Sequence, residues 1–112
     1  MAAKILNHTM RRGDTPVFEA ELRDENRALV NDPGAQYKLT ARTTRGAAAA
    51  LFEVGPLTQF SPGVARFPIP TGATSGFTYD RKIYYDAQVI ESNGNVSTLL
   101  EGVITVLTDV AR

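Results

Sequence analysis

The chain contains no cysteine. A disulfide framework, thiol chemistry and a thiolate zinc site are therefore excluded. Histidine occurs once, as His8. One histidine cannot build a histidine-rich metal site, and a Ser-His-Asp triad would have to rest on it alone. An excess of charge is also missing, since 12 Lys and Arg offset 12 Asp and Glu. Nucleic-acid binding draws on a basic excess to displace counterions, so that class is disfavoured. The same balance leaves little repulsion between copies, which suits a subunit of an assembly. No apolar run approaches the roughly 20 residues of a helical membrane span. The opening MAAKILNHTMRRGD lacks the apolar core of a secretion signal. The mature chain is expected to start at or near Met1 and, if it acts outside the producing cell, to leave by another route. There is no internal repeat, low-complexity tract or linker, and no glycine-rich loop opening a helix that would cradle a phosphate.

What is present is strand pattern. The 112 residues fit one domain spanning 1–112, and apolar residues make up 43%, too many for a disordered chain. The strongest signal lies in Asp80–Val110, where two runs rich in β-branched and aromatic residues flank Ser92-Asn93-Gly94-Asn95. Asn-Gly between such runs predicts a hairpin with a type I′ turn. In the first arm Ile83, Tyr85, Ala87 and Val89 alternate with Tyr84, Asp86, Gln88 and Ile90. In the second, Val96, Thr98, Leu100, Ile104 and Val106 share one parity, and Leu99, Val103 and Leu107 the other. Both faces of this arm are apolar, so it is either covered on both sides or packs on another subunit. Gly102 in mid-strand predicts a bulge or the close approach of another backbone.

The preceding chain reads as shorter strands. Phe18, Ala20 and Leu22 alternate with Glu19, Glu21 and Arg23. Tyr37, Leu39 and Ala41 alternate with Gln36, Lys38, Thr40 and Arg42. Residues 1–14 predict an edge strand or an N-terminal arm. The alanine-rich segment Gly46–Val54 is too short for a self-supporting helix and predicts a strand through Ala50, Phe52 and Val54. Pro56–Gly63 follows as a loop. Val64–Ile69 predicts a strand with Ala65, Phe67 and Ile69 inward, at an edge because Pro68 cannot donate. Six or seven short strands with turn signals about every ten residues argue for an all-β antiparallel sandwich.

Candidate chemistry is thin beside its bland alternatives. His8 reads as an exposed polar residue. Asp24, Glu25 and Asp32 cluster at turns without the ligand spacing of a calcium loop. Asp80, Asp86 and Glu91 lie on or beside one strand and could pair as acid and base, but Asp86 sits on the parity opposite the core, which suits a solvated face. Arg12-Gly13-Asp14 matches the integrin-binding tripeptide, but a turn needs Gly and Asp in any case. Asn7-His8-Thr9 and Asn95-Val96-Ser97 fit the glycosylation sequon. Arg11, Arg12, Arg42, Arg45 and Arg66 are basic without interleaved aromatics. Tyr79, Tyr84 and Tyr85 suit a sugar platform or, more commonly in such a sandwich, a tyrosine whose hydroxyl bonds backbone. No catalytic, cofactor or metal residues emerge, and the expectation is a non-enzymatic protein.

From Gly63 onward the chain carries GVARFPIP, a Gly/Thr loop, then Tyr84-Tyr85-Asp86-Ala87-Gln88-Val89, the Asn93-Gly94-Asn95 turn, and Thr98-Leu99-Leu100-Glu101-Gly102-Val103-Ile104-Thr105-Val106. This resembles the Ig-like amino-terminal domain of the upper baseplate protein family of siphophage tails and related small phage tail proteins. The resemblance covers roughly the last 50 residues, and Pro16–Thr44 more loosely. It implies an Ig-like antiparallel β-sandwich of about seven short strands. It also implies a virion structural protein, a tail or baseplate adaptor acting by protein–protein contacts. The expected partners are other virion proteins, in many copies of a symmetric assembly, with neither nucleic acid nor membrane. A head decoration or fibre-base protein is the nearest alternative, and a small carbohydrate-binding module the next. Leu99, Val103 and Leu107 are the expected interface residues.

Overall fold

The computed structural model describes residues 4–44, 49–74 and 76–108. In chain order its strands are β1 (Lys4–Ile5), β2 (His8–Arg11), β3 (Val17–Glu21), β4 (Gln36–Arg42), β5 (Phe52–Leu57), β6 (Val64–Pro68), β7 (Arg81–Ile90) and β8 (Val96–Leu107). The larger sheet runs β1–β8–β7–β4–β5, with β2 also on β8, and the smaller pairs β3 with β6. Placing β3 and β6 in one layer and β4, β7 and β8 in the other is the strand order of an Ig-like sandwich.

Period-2 alternation positions the core. On β7, Ile83, Tyr85, Ala87 and Val89 are buried while Lys82, Gln88 and Ile90 are exposed. Tyr37, Leu39 and Ala41 of β4 and Phe18, Ala20, Ala65 and Phe67 of the smaller sheet fill the space between the layers. Burying each large apolar side chain among these contributes about 1.5–3 kcal/mol.

The hairpin turn differs from the expected type I′. Only Gly94 has a positive φ, +91°. Gly94 N donates to Glu91 O (2.8 Å), and Asn95 N to the side chain of Asn93 (2.9 Å). Ile90 and Val96 are the last pair, so the loop is wider than a two-residue turn. A turn closed by one left-handed residue then suffices.

The second arm also breaks its expected parity. Ala87 pairs with Leu100 but Gln88 with Thr98, so Leu99 is an extra residue bulged out of β8. Val96 and Thr98 therefore lie opposite the exposed Ile90 and Gln88, not on the core side with Leu100.

The N-terminal segment forms edge strands, not a free arm, and it runs parallel to β8, unlike the antiparallel pairs elsewhere. Between β1 and β2 the chain steps over Gly102. A Cβ on Gly102 would collide with Leu6 O and stand 2.8 Å from Leu6 C. This is the close backbone approach that a mid-strand glycine predicts. Leu6 N donates to Glu101 O (2.9 Å), the Asn7 side-chain carbonyl accepts from Val103 N (3.0 Å), and the Tyr85 hydroxyl donates to Leu6 O (2.6 Å).

β5 lies later than the alanine-rich segment suggested. Gly46–Ala48 fall outside the described residues, and the strand runs through Gly55–Pro56. The register between β4 and β5 shifts at Tyr37/Leu39, which admits a proline on this end strand.

Three predictions follow from the packing. Gly102→Ala should cost about 1–3 kcal/mol, the usual penalty of overpacking, because the contacted atoms are backbone and cannot rotate away; urea melts measure it. Ala87→Lys should prevent folding, since Ala87 is fully buried and the ammonium has no partner there; an unchanged thermal melt would refute its inward placement. The third concerns alkali. Burial pushes the Tyr85 hydroxyl from 10.0 up to about 12. The folded state favours the protonated phenol, so its contribution is fully present below pH 10 and is lost as the pH rises towards 12. Tyr85→Phe should flatten the fall in stability over that window in melts taken at successive pH values.

Candidate interaction surface

Several of the polar side chains singled out by the sequence tie loops together. The Asp32 carboxylate accepts from Ser92 N (3.0 Å) and Ser92 Oγ (3.1 Å), which joins the 31–34 turn to the hairpin loop. These bonds hold its pKa below the ordinary value. Asp80 accepts from Thr108 N (2.7 Å) and Thr108 Oγ1 (2.9 Å), with the same effect. Asp24 accepts from Asn26 N and Ala28 N, closing its own turn. Among the described residues, no group of three or more His, Asp and Glu is arranged to hold a metal ion.

The Arg12-Gly13-Asp14 turn is pinned against the later loop. Gly13 N donates to the buried Thr74 hydroxyl (2.9 Å), and Arg12 donates to Phe77 O (3.0 Å). His8 is half-buried on β2 with its ring edge-on to Phe18 at 5.1 Å, not the exposed residue expected. Asn7, of the first sequon, spends its carbonyl on Val103 N. Asn95, of the second, lies exposed in the hairpin loop. Of the arginines named above, Arg42 faces Asp86, Arg66 pairs with Glu19 and Arg45 lies outside the described residues.

The tyrosines divide. Tyr85 is the one whose hydroxyl bonds backbone. Tyr79 is exposed, with the Arg81 guanidinium 5.6 Å from its ring centre. Tyr84 is half-buried on the outer face of the larger sheet. There it borders a polar hollow of about 160 Å³ lined by Arg42, Asp86 and Glu101. Asp86 pairs across the ladder with Glu101. Desolvation pushes its pKa up, Arg42 pulls it down and Glu101 adds a further upward push.

The expected interface residues separate. Val103 and Leu107 lie on the outer face of β8, half-buried, with Ile104 and Val106 filling the inner face. Leu99, displaced by the bulge, packs against the core cluster. It lines a groove of about 420 Å³ with Lys4, Ala20, Leu22, Arg23 and Leu100. This groove, between the edge of β3 and the start of β8, was missed by the sequence reading. Its signal would have been that Leu99 cannot keep both arms of the hairpin in one parity.

The chain matches no described protein family and no curated protein. Among solved structures it is similar to a 2,6-sialyltransferase of Photobacterium sp. JT-ISH-224, crystallised with CMP and lactose, at 13% identity and a TM-score of 0.41. The alignment covers 95% of this chain and 18% of that one, so the chain spans less than a fifth of that enzyme's length.

Proposed function

We propose that the protein is a structural subunit of a bacteriophage virion, an adaptor of the tail or baseplate that works through contacts with other virion proteins. The sequence resemblance from Gly63 onward supports this reading. The outer face of β8 carries it: Val103 and Leu107 are apolar there although Ile104 and Val106 already supply the strand's share of the core. An apolar pair on a face that the fold does not need suits a neighbouring subunit. The balanced charge suits many copies packed together. In this role the protein needs no cofactor, nucleic acid or membrane, and performs no catalytic step. A head decoration or fibre-base position in the same particle uses the same surfaces.

A carbohydrate-binding role has one specific observation in its favour, the hollow beside Tyr84. Its 160 Å³ is below the roughly 300–1,000 Å³ of ordinary ligand pockets. Contact with protein is therefore the stronger reading.

Mass spectrometry of purified particles should detect the chain at a fixed stoichiometry, and electron microscopy of labelled particles should place it at the tail tip. Absence from particles would remove the virion reading. Glycan-array binding abolished in a folded Tyr84→Ala variant would favour the carbohydrate reading instead.

A further inference from the structure

The sandwich exposes strand edges at the ends of both sheets, and among the described residues all but one are blunted. β5 carries Pro56, and β6 carries Pro68. The bond from Ile69 N to Pro16 O turns Ile69 towards β3, so the Pro68 nitrogen, which has no hydrogen, faces outward. β1 and β2 are two and four residues long and are interrupted at Leu6–Asn7. The edge of β3 has neither proline nor interruption.

Two hydrogen bonds fix which way the β3 backbone points. Leu22 N donates to Gly63 O (2.8 Å) and Ile69 N to Pro16 O (2.9 Å). Even-numbered residues therefore bond β6. The N–H and C=O groups of Val17, Glu19 and Glu21 point the other way, and no described residue pairs with them. Alongside this edge runs the 420 Å³ groove, with Ala20 and Leu22 on one wall and Leu99 and Leu100 on the other. It sits where a third strand of the smaller sheet would lie.

We propose that the edge of β3 is a docking site for an extended segment of a partner protein, bound as a third strand and alternating apolar with basic side chains. The inference rests on the reading of the chain as a protein-contact module and names its site. The alternation follows from cross-strand pairing. Every second side chain of the incoming strand lies beside Ala20 and Leu22 over the groove. The others lie beside the exposed Glu19 and Glu21. These two carboxylates pair with Arg66 (2.7 Å) and Arg23 (3.1 Å). Such exposed pairs hold their members weakly, so each carboxylate can share a second cation. The same charges argue against a second copy as occupant. Antiparallel β3–β3 pairing sets glutamates against glutamates, and like charges placed opposite each other are unfavourable. The backbone supplies the affinity and the two faces supply the selection, as in strand addition generally.

The probe is a short fluorescent peptide of alternating valine and lysine, with a control of equal composition in which the two residues are segregated. The alternating peptide should slow hydrogen exchange at the amides of Val17, Glu19 and Glu21, and the control should not. Glu19→Pro deletes one outward donor and leaves the β6 ladder intact, so it should weaken binding about three- to tenfold, the effect of one hydrogen bond, at an unchanged melting temperature. If Glu19→Pro fails to fold, the double reversal Glu19→Lys with Glu21→Lys serves, and should shift preference to an alternating valine–glutamate peptide. Equal binding of the two lysine peptides, or protection elsewhere, overturns the proposal. Concentration-dependent dimers that Glu19→Pro dissolves would give the edge to a second copy and overturn it equally. Particle composition does not enter this test, so its failure and that of the virion reading are distinguishable.

Discussion

The fold depends on the contact between the Leu6 backbone and the bare face of Gly102. β8 is the longest strand and sits between β7 and the N-terminal strands. Its far edge would be open for most of its length if β1 and β2 did not cover it. They reach it only because residue 102 has no side chain, which lets the Leu6 carbonyl lie where a Cβ would stand. That carbonyl then accepts from Tyr85, a side chain of the central strand β7. One small residue thus allows the edge to be closed, and one hydroxyl binds the closing segment to the core. The interior hydrogen bond matters more than its length suggests, because an acceptor left unpaired at that depth costs about 1–3 kcal/mol.

Features set by local alternation were legible in the sequence. Phe18–Leu22, Tyr37–Ala41 and Ile83–Val89 each declare a half-buried strand, and their spacing declares a sandwich. Gly102 was legible as a point of close approach, though not which backbone approaches. What escaped depends on register between distant segments. Leu99 is bulged because β7 and β8 shift by one residue there. The arm is apolar on both parities, so the one trace of the insertion is that a single parity cannot be kept along both arms of the hairpin through Leu99. The parallel docking of β1 and β2 leaves no local trace beyond weak alternation. Gly55–Pro56 reads as a strand break in one dimension, yet it is tolerated where only one neighbour needs hydrogen bonds.

The same limit applies to the candidate surfaces. Val103 and Leu107 lie on the outer face, as their parity opposite the core predicts, because the bulge lies on the N-terminal side of both. Leu99 shares that parity in the sequence but not in space. The β3 edge was invisible for a different reason. A strand reads alike whether it has one neighbour or two, and only the pairing of every other strand reveals the one left over.

Polar chemistry and backbone chemistry play opposite parts in this protein. Asp24, Asp32, Asp80 and Asn7 are committed to main-chain donors of the chain itself, and each bond closes a loop or a strand junction. Side chains spent in this way are not free for a substrate. Among the described residues, the β3 edge holds unspent main-chain capacity, at Val17, Glu19 and Glu21. Water satisfies these groups in the isolated molecule at little cost, so the edge does not destabilise the fold. An incoming strand replaces that water with its own main-chain donors and acceptors, and buries apolar side chains in the groove as it does so. Selection then falls to the two faces of the edge, Ala20 and Leu22 on one and Glu19 and Glu21 on the other, all four of which line the groove.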